Sequence, residues 1–150
     1  MKTFDTLADL AACVGHDVAA TEWVKITQQQ VNQFAEATGD HQWIHVDEER
    51  AKQGPFGAPI AHGFLTLSLL SQFFDKTIVV SSARMGVNYG LNKVRFPASV
   101  PVGSKVRLSA EVTAVEDIAD GVQIILRATV HCTASQKPVC VAEPVYRFYR

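Results

Sequence analysis

The chain has little of what several common protein classes require. Its cysteines, Cys13, Cys132 and Cys140, are odd in number and show neither CxxC nor Cys/His metal spacing, which disfavours a disulfide scaffold and a zinc site. We expect small buried thiols in a reducing cytosol. The net charge is only -1 over 150 residues, and a nucleic-acid binder usually carries a basic stripe. We therefore expect no nucleic-acid partner.

The sequence also lacks a long apolar run and a leader-like N-terminus. Its most apolar segment, 58–74, contains His62, Gly63 and several hydroxyl side chains, and it is too short and too polar to span a bilayer. Asp5 and Asp9 interrupt the apolar residues near the N-terminus, which is unlike a signal peptide. These features predict a cytoplasmic protein that has no membrane partner.

Several well-defined catalytic signatures are missing as well. There is no G-x-S-x-G elbow, which disfavours a serine hydrolase. The glycine patterns of a P-loop or a dinucleotide-binding turn do not occur either. Function must therefore be sought in less regular groups of side chains.

The first half of the chain carries helix signals. Thr27 and Gln30 form a capping-box pattern before a helical apolar period, and Gly39 is a natural helix stop. Asp47 can cap a second short helix that runs through Lys52. A loop rich in Gly and Pro follows, over residues 54–59.

A helix over about 63–75 differs in kind, because its apolar side chains occur nearly all round it. Such a helix is expected to be buried on most faces. Its apolar members are Phe64, Leu65, Leu67, Leu69, Leu70, Phe73 and Phe74.

The second half of the chain predicts antiparallel strands. Apolar and polar residues alternate over 105–114 and 124–132, and Asp120-Gly121 is a hairpin turn signal. A further strand is expected over 84–96, irregular near its glycines Gly86 and Gly90, and a last one over 138–149. Pro144 suits an edge or a bulge in that last strand. The pattern is compatible with one α+β domain, 1–150, in which a sheet wraps around the apolar helix.

Asp40 and His45 follow directly after the helix stop at Gly39, in a short irregular segment. An aspartate and a histidine that face one water molecule make a general acid–base pair, since imidazole exchanges protons near neutral pH. The alternative interpretation is that Asp40 caps a turn and His45 is a satisfied core histidine. The D-x4-H spacing alone does not decide between the two.

Ala61-His62-Gly63 precedes the apolar helix. A helix N-terminus presents free N–H groups, and glycine there lets a ligand approach the backbone, so this turn could polarise a carbonyl oxygen. The alternatives are a glycine required for a tight loop-to-helix junction and a structural His62.

Taken together, these residues resemble the signature of the MaoC-like dehydratases, the (R)-specific enoyl-CoA hydratases. The D-x4-H motif matches as Asp40 and His45, and the downstream IAHG matches at 60–63. The segment 88–103 is similar to the strand and turn that follow in this family. The likeness covers most of the chain from Thr27 onward. Many relatives have Asn-Pro inside the D-x4-H motif, where this chain has Gln42-Trp43.

The resemblance implies a role for each matching residue. Asp40 and His45 would hold and activate a water molecule. The Gly63 N–H, beside His62, would hydrogen-bond the thioester carbonyl of an acyl-CoA substrate. Ser71 falls where some members have a serine near the catalytic pair, and Trp43 would form part of the pocket wall.

The resemblance also implies a hotdog fold, a homodimer with sites at the subunit interface, and hydration of trans-2-enoyl-CoA to (R)-3-hydroxyacyl-CoA. This reaction needs no metal or redox cofactor. Three alternatives stay open. A hotdog thioesterase typically uses a carboxylate on the central helix, and 64–74 contains no acid. The others are a non-catalytic acyl-binding subunit and a dehydratase acting on acyl carrier protein.

Overall fold

The computed structural model describes residues 2–150. Five helices lie in these residues: α1 Leu7–Ala11, α2 Gln28–Thr38, α3 Trp43–Val46, α4 Glu48–Lys52 and α5 Gly63–Asp75. Eight strands accompany them: β1 Lys2–Phe4, β2 Asp17–Ala20, β3 Val24–Lys25, β4 Ile78–Val80, β5 Met85–Arg95, β6 Lys105–Ile118, β7 Gly121–Cys132 and β8 Ser135–Tyr149. The architecture is the predicted α+β class.

Local capping explains where the short helices begin and end. The Thr27 side chain accepts a hydrogen bond from the Gln30 N–H at 3.2 Å, and Gly39 closes α2 in the left-handed conformation with φ 78°. Asp47 caps α4 by accepting from the Arg50 N–H at 3.1 Å. The predicted helix boundaries are therefore confirmed, for the predicted reason that polar caps satisfy otherwise free N–H groups.

The main sheet has six antiparallel strands in the order β2-β6-β7-β8-β5, and β3 also pairs with β6. β1 and β4 form a separate two-stranded parallel sheet. Ala119 and Asp120, the latter with φ 64°, make the tight turn between β6 and β7, and Gly121 begins β7 opposite Ile118, so the hairpin predicted at Asp120-Gly121 is confirmed one residue earlier. The long β5 has β8 on one side and ends the sheet on the other.

The core lies between α5 and one face of the main sheet. The residues that alternate along β6 and β7 are buried together with one face of α5 in a single apolar cluster. This confirms that the period-two pattern marks half-buried strands. The most enclosed members are Leu10, Ile26, Val31, Phe73, Val106, Leu108, Val112, Ile124, Leu126, Val130 and Val139.

One face of α5 stays uncovered within the chain. Phe64 is 69% exposed, and Ser68, Ser71 and Gln72 are also exposed. The expectation that α5 is buried on most faces is therefore wrong for this side of the helix. The sheet covers only the face that carries the leucines and the C-terminal phenylalanines.

Of the two places predicted for Pro144, the sheet edge is wrong, because β8 lies between β7 and β5, and the bulge is confirmed by a register shift beside it. Pro144 is opposite Leu91, and the register of β5 shifts between Leu91 and Val94. The missing proline N–H therefore falls where the ladder is already irregular. A second shift, between Asn88 and Gly90, confirms the irregularity predicted near Gly90; none is found at Gly86.

Within residues 2–150, no helix is long and apolar enough to cross a membrane. Cys13, Cys132 and Cys140 are all free thiols. Cys132 and Cys140 are buried, as expected, whereas Cys13 is half-buried. Burial raises the pKa of the Cys140 thiol to about 11, which keeps it protonated and unreactive.

Substitution of Phe73 by alanine should destabilise the protein by about 3–5 kcal/mol, because this ring is 1% exposed at the centre of the core. Phe56→Ala is the matched control, since that ring is 48% exposed and its removal should cost less than about 0.5 kcal/mol. Urea unfolding at one fixed protein concentration measures both. Equal losses in the two variants would contradict this placement of the core.

Candidate active site

The structure brings the two ends of the D-x4-H motif together. Gly39 ends α2, and the single turn of α3 then directs the chain back toward the core. Asp40, before this turn, is exposed, and His45, within it, is buried. Asp40 Oδ1 accepts the Gln42 N–H at 3.3 Å, which fixes the start of this turn. One ligand atom from each of Asp40, His45 and His62 lies within 4.8 Å of the other two.

Backbone hydrogen bonds join this turn to the segment before α5, and that segment to the loop between β5 and β6. The Ile60 N–H donates to the Ile44 carbonyl at 3.0 Å, and the Ala61 N–H donates to the Val100 carbonyl at 2.8 Å. Ile60 also forms a β-bridge with Pro101. Three distant stretches of chain are therefore held in register around His45, which favours a fixed geometry at the site.

The His45 ring is oriented by one hydrogen bond. Its Nδ1 lies 2.6 Å from the Ile60 carbonyl oxygen. A carbonyl oxygen can only accept, so Nδ1 carries the proton and Nε2 of the neutral ring carries the lone pair. The structural interpretation of His45 as a satisfied core histidine is correct for Nδ1, yet Nε2 remains available as a base.

His62 lies against both members of the pair. Its Nε2 donates to the Asp40 carbonyl at 2.9 Å, and its ring stacks on His45 with centroids 3.9 Å apart and planes at 25°. Phe34 contacts the same ring, with centroids 5.0 Å apart at 52°. At 3% exposure, His62 is enclosed between α2 and the Asp40–His45 turn.

Burial is the main cause that lowers the pKa of His45, because an enclosed charge loses its hydration. The Ile60 hydrogen bond opposes this change, His62 adds to it, and the Asp40 carboxylate opposes it. The balance favours a neutral imidazole at physiological pH. A neutral imidazole with a free Nε2 is the form that can accept a proton.

A cavity of about 430 Å³ opens beside His45, and we call it the proximal cavity. Gly63, the first residue of α5, lines it, and its N–H has no partner within the helix. A Cβ atom at Gly63 would lie 3.2 Å from the Phe96 ring. Glycine therefore lets the first turn of α5 pack closely against the Phe96 ring at the cavity wall. Its other lining residues include Phe56, Ile60, Thr66, Pro97, Val100 and Val139.

Asp40, His45 and His62 do not suit a shared metal ion, although their ligand atoms are close. Imidazole lone pairs lie in the ring plane, and two nearly parallel rings stacked at 3.9 Å cannot both direct them at one tetrahedral centre. One nitrogen of each ring is also used on a backbone carbonyl. The arrangement fits acid–base chemistry better.

Ser71 is not brought to the pair within one chain. It lies eight residues beyond Gly63 along α5, which is about 12 Å of helix, and it lines a second cavity of about 440 Å³. We call this the distal cavity; Asn88 and Tyr146 also line it. Burial raises the pKa of Tyr146, and a hydrogen bond with Ser71 opposes that rise.

Trp43 does not line the proximal cavity. The Arg50 guanidinium lies 4.3 Å from the centroid of its ring, and a Cβ atom at Gly54 would come within 2.9 Å of that ring. Trp43 thus anchors α4 and the following loop to the catalytic turn. Its large side chain is accommodated because position 54 is glycine.

Sequence reasoning missed Gln28. Its Nε2 donates to the His45 carbonyl at 2.8 Å and to Asn32 Oδ1 at 2.9 Å, so the first turn of α2 holds the backbone of His45. Gln28 is 17 positions from His45, and no spacing rule links them. The only signal in the sequence was a run of three glutamines that begins a helix.

Comparison with known proteins agrees with this geometry. The profile of the MaoC like domain matches residues 9–133. This chain belongs to the MaoC-like domain family. The match spans the D-x4-H motif and the segment that leads into α5, together with most of the sheet.

Relatives and solved structures lead to the same family. The chain is 54% identical to 3-hydroxyacyl-thioester dehydratase Z of Mycobacterium tuberculosis over 149 residues, 99% of each protein. It is 35% identical to 3-hydroxybutyryl-CoA dehydratase of Methylorubrum extorquens over 121 residues, 79% of this chain and 71% of that protein. The unliganded R-hydratase of Pseudomonas aeruginosa shares the fold, with a TM-score of 0.78 at 23% identity over 98% and 87% of the two chains.

The lowered pKa of His45 predicts the pH dependence of any reaction in which His45 is the base. The neutral ring persists below pH 6.5, the usual imidazole value. The midpoint of the acidic limb of kcat/KM should therefore lie below pH 6.5, because the protonation that removes the base occurs only at a lower pH. A pH–rate profile measures this midpoint. A fall in kcat/KM centred above pH 6.5 would contradict the assignment.

Proposed function

We propose that this chain is a hydro-lyase that reversibly adds water to trans-2-enoyl-CoA and forms (R)-3-hydroxyacyl-CoA. The observation that carries the proposal is the position of His45: its ring, with Nε2 free, lines one cavity together with Gly63, and the Asp40 carboxylate lies within 4.8 Å of a nitrogen of the same ring. The names of the dehydratase relatives support this reaction class. The (R) configuration rests on the family alone.

The chemistry follows from these groups. The thioester carbonyl withdraws electrons, so C3 of the enoyl chain is electrophilic. His45 Nε2 accepts a proton from water as the water oxygen bonds to C3. The electrons of the C2–C3 double bond move to the carbonyl oxygen, where the Gly63 N–H stabilises the developing charge. A proton returned from the Asp40–His45 pair to C2 completes the 3-hydroxyacyl thioester.

Each catalytic side chain can hold its place and still react. Asp40 uses Oδ1 for its turn, and His45 uses Nδ1 for the Ile60 carbonyl. The second oxygen of Asp40 and Nε2 of His45 make no hydrogen bond to any of residues 2–150, so both can face one water molecule. No group from a cofactor enters any step.

We further propose that the protein is a homodimer that pairs through β5. This strand is eleven residues long, its outer edge is free, and Met85, Tyr89 and Leu91 are exposed on it. A long free edge with apolar side chains favours pairing with a second copy. The uncovered face of α5, which includes Phe64, would provide further apolar surface.

Antiparallel pairing of two β5 strands about their midpoint, Gly90, would join unlike cavities. Phe96, just beyond one end of β5, lines the proximal cavity, whereas Gly86, at the other end, lines the distal cavity. A two-fold axis at Gly90 brings the proximal cavity of one subunit beside the distal cavity of its partner. Ser71 of the partner subunit would then approach the catalytic pair that it does not reach within its own chain.

The alternative reactions differ in their products. α5 ends in an acid, Asp75, one residue beyond the acid-free segment, and Asp75 lines the distal cavity. A carboxylate on the central helix is what the thioesterase alternative requires, so release of free thiol must be measured beside hydration. A substrate carried by acyl carrier protein uses the same thioester chemistry.

We infer a cytoplasmic location from the free cysteines.

Hydration of a short trans-2-enoyl-CoA should occur without release of thiol. Asp40→Asn and His45→Gln should each lower kcat by about 10²- to 10⁴-fold, because each removes one acid–base group. Loss of enoyl absorbance and a thiol reagent follow the two reactions in parallel, and Asp47→Asn is the matched control outside the pair. Chiral analysis of the product tests the (R) configuration.

Thiol release that keeps pace with substrate loss and disappears in Asp75→Asn would favour a thioesterase. If no substrate of any tested chain length reacts, on either coenzyme A or acyl carrier protein, the result would favour the non-catalytic acyl-binding subunit. Full turnover in both the Asp40 and the His45 variant would refute the assigned pair.

Light scattering at micromolar concentration should give twice the 16.4 kDa chain mass. Leu91→Lys should shift the protein toward the monomer and reduce activity, because a lysine on the edge strand opposes pairing. Val14→Lys is the control, since Val14 is similarly exposed at 44% but lies outside β5. A fully active monomer would refute the shared site.

A further inference from the structure

The His62 side chain makes only one polar contact with residues 2–150. Its Nε2–H donates to the Asp40 carbonyl at 2.9 Å, while its buried Nδ1 has no partner among residues 2–150. A buried polar ring that satisfies only one of its nitrogens carries a desolvation cost. An aromatic ring without nitrogen would fill the same space at lower cost, which points to a use for the Nε2 bond.

The same ring also sets the plane of His45. The two imidazoles stack with their centroids 3.9 Å apart, and the Phe34 ring contacts His62 with centroids 5.0 Å apart. Because His45 Nδ1 is bound to Ile60, rotation of the His45 ring would require both that bond and the stack to be disrupted. The direction of His45 Nε2 is thus fixed by two contacts of different kinds.

His62 is also the residue that precedes Gly63 at the start of α5. Its backbone therefore fixes the beginning of the helix whose first N–H faces the proximal cavity. One residue therefore links the Asp40 backbone and the His45 ring, through its side chain, to the Gly63 amide, through its backbone. In the proposed reaction Asp40 and His45 act on the water molecule, and the Gly63 amide acts on the thioester carbonyl.

We propose that His62 is a positioning residue, which holds Asp40 and His45 in register with the Gly63 amide without itself contacting the reacting atoms. The inference rests on the proposed hydration. It assigns to His62 an effect on kcat rather than on substrate binding, since a small displacement of aligned catalytic groups costs up to about 10²-fold in rate. His62 does not line the proximal cavity, which agrees with this role.

The electrostatic environment of His45 supplies a second readout. Asp40 and His62 are the titratable groups that influence it, and neither lines the proximal cavity, among whose lining residues His45 alone is titratable near neutral pH. Burial first, and His62 in addition, lower the pKa of His45. Removing the His62 nitrogens while retaining a ring keeps most of the burial. It should therefore raise the pKa of His45 and move the acidic limb of kcat/KM to higher pH.

The test uses two substitutions and one control. His62→Phe keeps an aromatic ring against His45 but removes the bond to the Asp40 carbonyl. His62→Gln keeps an N–H donor but loses the stack. His131→Phe is the control, because His131 is half-buried on β7 and bonds the Ser109 hydroxyl at 3.1 Å, away from the site.

We expect kcat of His62→Phe to fall by about 10- to 100-fold, with KM within about twofold of the wild type. Its acidic limb should move to higher pH. His62→Gln should recover part of kcat, and His131→Phe should match the wild type. Circular dichroism and thermal unfolding show whether His62→Phe folds. If it does not, His62→Gln is the test, and a kcat below that of the wild type supports the proposal. Wild-type kcat in the folded variants would overturn the proposal.

An NMR titration of the His45 ring separates this inference from the proposed function. A higher His45 midpoint in the His62 variants supports the positioning role even if no thioester is hydrated. Intact hydration with an unchanged His45 midpoint and unchanged kcat would refute the role of His62 alone. A loss of kcat that only tracks the loss of folded protein would also overturn it, because a purely structural residue gives that result.

Discussion

The position of α5 against the main sheet is the constraint on which the rest of the structure depends. Most of its leucines and its two C-terminal phenylalanines are buried with the inner residues of β6, β7 and β8 in one cluster, so the helix cannot slide without opening the core. The helix N-terminus is consequently fixed, and with it His62 and Gly63. The hydrogen bond from the Ile60 N–H to the Ile44 carbonyl then attaches the Asp40–His45 turn to the same fixed point.

This scaffold makes it possible to bury two imidazoles beside each other. Each ring donates one N–H to a backbone carbonyl whose position the fold determines, at Ile60 for His45 and at Asp40 for His62. Asp40 itself remains exposed, so its carboxylate keeps its hydration while His45 loses most of its own. The site therefore combines an exposed carboxyl group with a buried imidazole, and burial favours the neutral form of the imidazole.

The sequence predicted the parts of this molecule that depend on local rules. Capping residues gave the limits of α2 and α4, alternation gave the long strands, and Asp120-Gly121 gave the hairpin. Strand order depends on contacts between distant residues, so the interior place of Pro144 was not predictable from its own neighbourhood. Asp40 and His45 were recognised as a motif, but the role of Gln28 in holding His45 required the folded chain.

The two positions at which the D-x4-H motif departs from many relatives illustrate the same division. Trp43 lies within α3, but its ring packs with Gly54 and Arg50, on residues that follow the motif. Gln42 contributes a backbone N–H to Asp40, and a backbone group is insensitive to the side chain attached to it. Trp43 therefore anchors the turn to α4, whereas the hydrogen bond at Gln42 requires only its backbone. Neither side chain belongs to the packing unit that holds the Asp40 carboxylate and the His45 ring.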